Sequence, residues 1–248
     1  MSPHARTAAA EPVRDFPISE APPWRIVTRE IGAFAASVLL FPFGWRRSQR
    51  RTSRLKLQRT IVMVHGYMGN RSAMLPLRGF LRAFSRAQVL YFDYDAKLGI
   101  EGAAIELKAF LSRHVRGGRI DLVCHSLGGV IAQVYLQELG GARRVDRCIT
   151  LGTPWLGTYN AYWVLSRVGR ELRPDSPLLA RLRRSRAAAD RVRFTSIVAG
   201  SDNIVIPRVH AAMVDDVVHV PEIGHLGLLY SPTVFRTVAD RLSERALA

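Results

Sequence analysis

Lysine and cysteine are scarce in this chain, and acidic residues are outnumbered. Lys56, Lys97 and Lys108 are its only lysines; Asp+Glu number 20 against 36 Lys+Arg, so the formal net charge of +16 rests almost wholly on arginine. The two cysteines, Cys124 and Cys148, fall in apolar runs that read as strands. They give no sign of a disulfide framework, read as buried free thiols and favour a reducing compartment. No clustered Cys, His or Asp set has metal-ligand spacing, so no metal is expected. Rossmann and P-loop glycine patterns and internal repeats are missing too. Without a helix-turn-helix, zinc-knuckle or RNA-binding signature, nucleic acid is not an expected partner. The basic excess then reads as a solvated surface or as attraction to an anionic membrane. Its arginines gather at Arg46, Arg47, Arg50, Arg51 and Arg54, and again at Arg181, Arg183, Arg184, Arg186, Arg191 and Arg193.

With 248 residues, 48% hydrophobic and 23% charged, the chain is long and apolar enough for one large α/β domain or two small ones. Residues 1–23, rich in Ala and Pro, read as disordered and lack the apolar core of a signal peptide. Residues 24–58 read as an apolar, basic-flanked segment that associates with membrane. Its run from Ile31 to Trp45 falls short of the roughly 20 residues that span a bilayer. With Trp24 and Trp45 at its sides and arginines after it, the run fits an interfacial or re-entrant anchor, or else a helix packed on the domain. The matching location is cytoplasmic, at the inner face of the membrane.

From residue 60 the pattern is regular. Short apolar runs at 60–66, 87–95, 119–126, 146–152, 193–200 and 216–221 predict strands. Helices are predicted over 72–84, 101–115, 127–139 and 232–246. Strands alternating with helices imply an α/β fold with a mostly parallel sheet flanked by helices. The domain is expected to span 59–248, with a helical insert at 153–192 that is a candidate cap. Within it Trp155, Tyr159, Tyr162 and Trp163 recur at helical spacing on one face. Such stripes are usually core, but this one follows a strand end, where ligands bind in open α/β sheets. The four aromatics are therefore candidate substrate-binding residues.

"LVCHSLGGV" (Leu122–Val130) places Ser126 between a strand and a helix. A serine in such an elbow is lifted above the sheet, and small neighbours are needed because strand and helix approach closely. Gly128 and Gly129 meet that need; Cys124 stands where the usual G-x-S-x-G pattern has glycine. A nucleophilic serine also requires a base, a group orienting the base and N–H donors for the oxyanion. Asp202, just past the fifth strand, and His225, after the last, follow in the order Ser, Asp, His. Asp175, Asp190, Asp215 and Asp216 are worse placed, as are His125, His210 and His219. The amides of Leu127 and of Tyr67, in "VHGYMGN", are the expected oxyanion donors, and His65 reads as a structural partner of that loop.

"IVMVHGYMGN", "DLVCHSLGG", "ITLGTPWLGT", "GSDNIVIP" and "GHLGLLYSP" together resemble the α/β-hydrolases of bacterial lipase and esterase type. The C-terminal part is similar to the small, nearly lidless lipases of bacilli. The resemblance implies a catalytic triad of Ser126, Asp202 and His225 and an oxyanion hole at Tyr67 and Leu127. It further implies hydrolysis of carboxylic esters, lipid or phospholipid esters among them, without a cofactor. The same triad would serve an acyltransferase, thioesterase or amidase. A non-catalytic membrane-bound interaction protein would not need all three residues. Oligomeric state is not legible.

Overall fold

A computed structural model of the chain describes residues 22–45, 59–85, 87–214 and 216–243. Of residues 1–23, expected to be disordered, 1–21 lie outside the described residues, as do the first arginine cluster and Asp215, while Pro23 instead opens a helix, its fixed φ suiting the first helical position. Six strands pair in parallel, in the order β2-β1-β3-β4-β5-β6. They are β1 (Arg59–Val64), β2 (Gln88–Phe92), β3 (Arg119–His125), β4 (Val145–Leu151), β5 (Arg193–Ala199) and β6 (Asp216–Val220). The sequence pattern locates all six to within a few residues. Parallel strands covered on both faces have no polar side, so they read as uninterrupted apolar runs.

Alternation along β1 feeds two cores. Val62 and Val64 pack with α3 (Gly99–His114) and α4 (Leu127–Glu138). Ile61 and Met63 pack on the other face with Leu77 and Leu81 of α2 (Leu75–Phe84) and Val234 and Val238 of α7 (Pro232–Ser243). Helix α4 is buried on all sides from Leu127 to Leu136, because the insert covers the side that α3 and the sheet leave open. In the insert, α5 (Arg167–Glu171) and α6 (Pro177–Arg184) contribute Val168, Leu178, Leu179 and Leu182 to the same core. Arg181 ties α6 to Glu138 at 2.7 Å and to Glu101 at 2.6 Å. Part of the second arginine cluster is thus joined to the fold.

One expectation for the insert needs correction. Trp155, Tyr159, Tyr162 and Trp163 do not share a helical face. Pro154 and Gly157 (φ 81°) break the chain after β4, and only a short 3-10 turn, Tyr159–Trp163, forms. Trp155 is a core residue, edge-on to Phe194 at 5.7 Å. Tyr159 and Tyr162 stack at 6.4 Å, and Trp163 is 85% exposed.

The apolar segment also differs from its sequence reading. Helix α1 runs from Pro23 to Leu40 and a 3-10 turn continues to Trp45. Pro23–Gly44 is long and apolar enough to cross a membrane by length and composition. The run looked short because Arg25, Arg29 and Glu30 interrupt its hydrophobicity near the start. One side of α1 packs on the domain: Ala33 is buried, and Ser37 Oγ lies 2.7 Å from Tyr230 Oη. Asn70 and Arg71 donate to the carbonyls of Phe41 and Gly44 at 3.1 and 2.9 Å. The other side exposes Trp24, Val27, Ile31, Phe34 and Val38, whose alternating spacings of three and four make one continuous stripe.

Candidate active site

The candidate residues collect at the C-terminal edge of the sheet, each delivered by a strand end. After β3 the backbone turns sharply at Ser126, whose φ of 52° and ψ of −124° are rare for a residue with a Cβ. The turn is held on all sides. Ser126 N donates to Leu151 O at 2.9 Å, while its own carbonyl accepts from Gly129 N and from Thr153 Oγ1, both at 3.0 Å. Space explains the glycines. A Cβ at Gly128 would lie 2.6 Å from Val64 O and 2.7 Å from His65 O, and one at Gly129 would overlap the Thr153 side chain. Cys124 causes no such conflict, because its fully buried side chain belongs to the core shared with α3 and α4. Burial and the neighbouring Cys148 push its thiol pKa well up.

Asp202 follows β5 in a tight turn, and His225 follows β6. Asp202 Oδ1 accepts from Ile204 N and Val205 N, both at 2.8 Å, and Oδ2 lies 2.8 Å from His225 Nδ1. Burial works against the Asp202 charge, but the bond and charge of His225 and the two amides outweigh it and hold the carboxyl below its ordinary range. An ionised carboxylate only accepts, so Nδ1 of His225 carries a proton, and in the neutral ring Nε2 is the nitrogen with the lone pair. Ser126 is linked to this pair through His125, whose ring centroid is 4.8 Å from that of His225. His125 Nε2 donates to the His225 carbonyl at 3.4 Å. Burial lowers the His125 pKa to about 3, which keeps it neutral.

The loop after β1 lies directly against the elbow: a Cβ at Gly66 would be 3.1 Å from that of Ser126. Tyr67 is half-buried there, its hydroxyl donating to Ser166 Oγ at 3.1 Å. Leu127 begins α4, in the first turn, whose amides have no partner within the helix. His65 donates from Nδ1 to Gly66 O at 2.9 Å and stacks on Tyr94 at 4.5 Å, with its pKa lowered chiefly by burial. It braces the loop, and Tyr94 completes the brace by donating to His65 O at 3.0 Å. Of the four aromatics, Tyr159 is fixed beside the Asp202 turn through its amide, which donates to Ile206 O at 2.9 Å. Thr158 Oγ1 donates to Ile204 O at 2.7 Å. Trp155 lies below, with Nε1 directed at Ser196 Oγ at 3.4 Å.

Several contributors were not foreseen. Thr153 is foreshadowed only by its place in "LGTPW", and Glu30, which bonds to the chain just after His225, by nothing nearby in sequence. Among the described residues no group of three or more His, Cys, Asp or Glu could hold a metal ion.

No protein-family model matches the chain. Solved structures do resemble it. Against a lipase of Bacillus licheniformis, BlEst2 in mature form, the TM-score is 0.60 at 15% identity, covering 79% of this chain and 96% of that one. Against Aspergillus fumigatus lipase B it is 0.64 at 17% identity, covering 99% of this chain and 64% of that one. Against phospholipase PlaB of Legionella pneumophila it is 0.50 at 14% identity, over 57% and 39% of the two chains. The six-stranded parallel sheet, its flanking helices and these likenesses agree: the chain has the α/β-hydrolase fold.

Proposed function

We propose that the chain is a serine hydrolase of carboxylic esters that works on lipid esters at a membrane surface. The observation that carries the reading is the 2.8 Å bond between Asp202 and His225, with a serine held at φ 52° directly after His125, whose ring centroid lies 4.8 Å from that of His225. In this reading Ser126 Oγ passes its proton to His225 Nε2 and attacks the ester carbonyl carbon. The carbonyl oxygen takes the electron pair and is held by the amides of Tyr67 and Leu127. Collapse of the intermediate breaks the carbon–oxygen bond, and the departing alkoxide takes the proton from His225. Water then gives a proton to Nε2, attacks the acyl-enzyme, and releases the acid and the restored serine. Asp202 stays ionised throughout and stabilises the charged imidazole.

Lipid esters fit the company the fold keeps, lipases and a phospholipase among them. They fit equally the apolar stripe of α1, which would lie in the headgroup region of an anionic bilayer beside the arginines that follow it in sequence. A fluorophosphonate probe tests the chemistry: labelling is expected in the wild type and not in Ser126→Ala, and labelling that persists in the variant would sink the assignment. Vesicles of anionic phospholipid test the location. The double variant Ile31→Asp, Phe34→Asp should lose at least tenfold in vesicle binding at unchanged esterase activity; equal binding would place the contact elsewhere.

A further inference from the structure

The loop bearing His225 is gripped from outside by the first helix of the chain. Glu30 Oε2 accepts from Leu226 N at 3.0 Å and Oε1 from Gly227 N at 2.7 Å, across 196 and 197 positions of sequence. These are the two amides directly after His225, where a short 3-10 turn, Gly227–Leu229, begins. Neither the turn nor the sheet supplies them with a partner of their own. The sequence makes room for the grip. A Cβ at Gly224 would overlap the Glu30 carboxyl, and one at Gly227 would lie 2.8 Å from its Oε1. "GHLG" therefore flanks the histidine with the two residues that let a carboxylate reach its backbone.

We infer that Glu30 is a positioning residue for His225, an inference that rests on the reading of Ser126, His225 and Asp202 as the reacting set. The imidazole is fixed by Asp202 at Nδ1. The backbone before it is fixed by the bond from Ser201 N to Ile223 O at 2.9 Å. Among the described residues its own carbonyl has only the 3.4 Å contact from His125. The two charge-assisted bonds from Glu30 are thus the firmest hold on the chain just after it. An imidazole displaced by 1 Å costs about 10²-fold in rate, so the hold acts on turnover rather than on substrate affinity. The other tethers of α1 end further along the chain from His225. Arg29 Nη1 donates to Glu222 O at 2.9 Å and meets its Oε2 at 3.5 Å, three residues before the histidine, and Ser37 meets Tyr230 at 2.7 Å, five residues after it. The helix that presents the apolar stripe is the same one that steadies the base.

Glu30 variants of the full chain, assayed on a soluble short-chain aryl ester, separate this role from membrane tethering. In Glu30→Gln one oxygen still accepts, but the amide nitrogen confronts the second N–H. The expected result is a kcat lower by about tenfold with KM within twofold, and about a hundredfold loss in Glu30→Ala. Glu30→Asp, which keeps both oxygens on a shorter stem, should recover part of the difference between them. Ser37→Ala removes another tether of α1 and should retain wild-type kcat. The downfield Nδ1–H proton of His225, followed by NMR, should shift or broaden in Glu30→Gln and stay sharp in Ser37→Ala. Equal kcat and an unmoved proton signal in Glu30→Gln would overturn the inference, as would an equal loss in Ser37→Ala. If the wild type shows no Ser126-dependent turnover, the hydrolase reading fails by itself, and the His225 proton still decides the role of Glu30.

Discussion

Replacing Asp202 with asparagine keeps the shape of the side chain and removes its charge, and the surroundings dictate which way the amide must face. Oδ1 of Asp202 already accepts two backbone N–H groups, from Ile204 and Val205, both at 2.8 Å. The amide oxygen of the variant has to take that position, because an NH₂ there would oppose two donors. Its NH₂ then faces His225 Nδ1 at the 2.8 Å now spanned by the carboxylate bond. Nδ1 must become the acceptor, so the proton moves to Nε2, and the nitrogen that takes the serine proton in the proposed reaction is blocked. The expected loss in kcat is about 10⁴-fold, or roughly 5.5 kcal/mol. Asp202→Ala leaves the imidazole free to choose its tautomer and should lose less. Raising the pH should not rescue the asparagine variant, since the block lies in the tautomer and not in the charge. Steady-state kinetics on an aryl ester from pH 6 to 9 decides the matter. An asparagine variant within tenfold of wild type, or one more active than the alanine variant, would refute the reasoning. Stability gives a second check. The carboxyl of Asp202 titrates below its ordinary range when folded, so its contribution is present above about pH 4 and fades as pH falls through the folded pKa. The gap in Tm between wild type and Asp202→Asn should therefore narrow at pH 3.

Two further predictions concern the frame around the site. Gly128→Ala drives a methyl to 2.6 and 2.7 Å from two backbone carbonyls, and should lower stability by about 3 kcal/mol, or roughly 6–12 °C in Tm by calorimetry; a change under 2 °C would mean that strand and helix can part. At the opposite end of the sheet, Arg59 Nη1 donates to both oxygens of the fully buried Asp121 at 2.9 and 2.8 Å. Burial lifts that carboxyl to about 6 although Arg59 pulls it down, so the charge is tolerated least above pH 6. Arg59→Met should cost roughly 3 kcal/mol at pH 8 and less than half of that at pH 4.5, where Asp121 holds its proton; denaturant midpoints at the two pH values measure it, and a pH-independent loss would contradict it.

What the sequence made legible follows from which interactions leave a trace in side-chain type. Strands β1 and β4 were readable because a strand covered on both faces is apolar nearly throughout, as in "TIVMV" and "ITL". Asp202 and His225 were readable as neighbours because each ends a strand of a sheet whose order brings β5 beside β6. Within the insert only the aromatic stripe was misread, because spacing alone pictured a helix through Trp155 and Trp163, while Pro154 and a left-handed Gly157 set the backbone. Helix α1 was located but started too late, since Arg25, Arg29 and Glu30 interrupt its apolar run although Arg29 and Glu30 bond to the domain. The partners of Glu30 were invisible for a simpler reason. They are backbone amides, which every residue but proline possesses and which no pattern of side chains announces.

The docking of α1 has a consequence for the order in which the molecule is made. Among the described residues, every side-chain bond that fastens residues 29–37 to the core ends between Glu222 and Tyr230. During synthesis the helix emerges early and its partners late. At the 5–20 residues per second of translation it waits on the order of ten seconds with its greasy side uncovered and its inner side unmatched. In the proposed reading, a bilayer receives its apolar side in that interval. Contact with lipid can thus precede completion of the fold, so the finished domain would close around a helix already lying at the membrane.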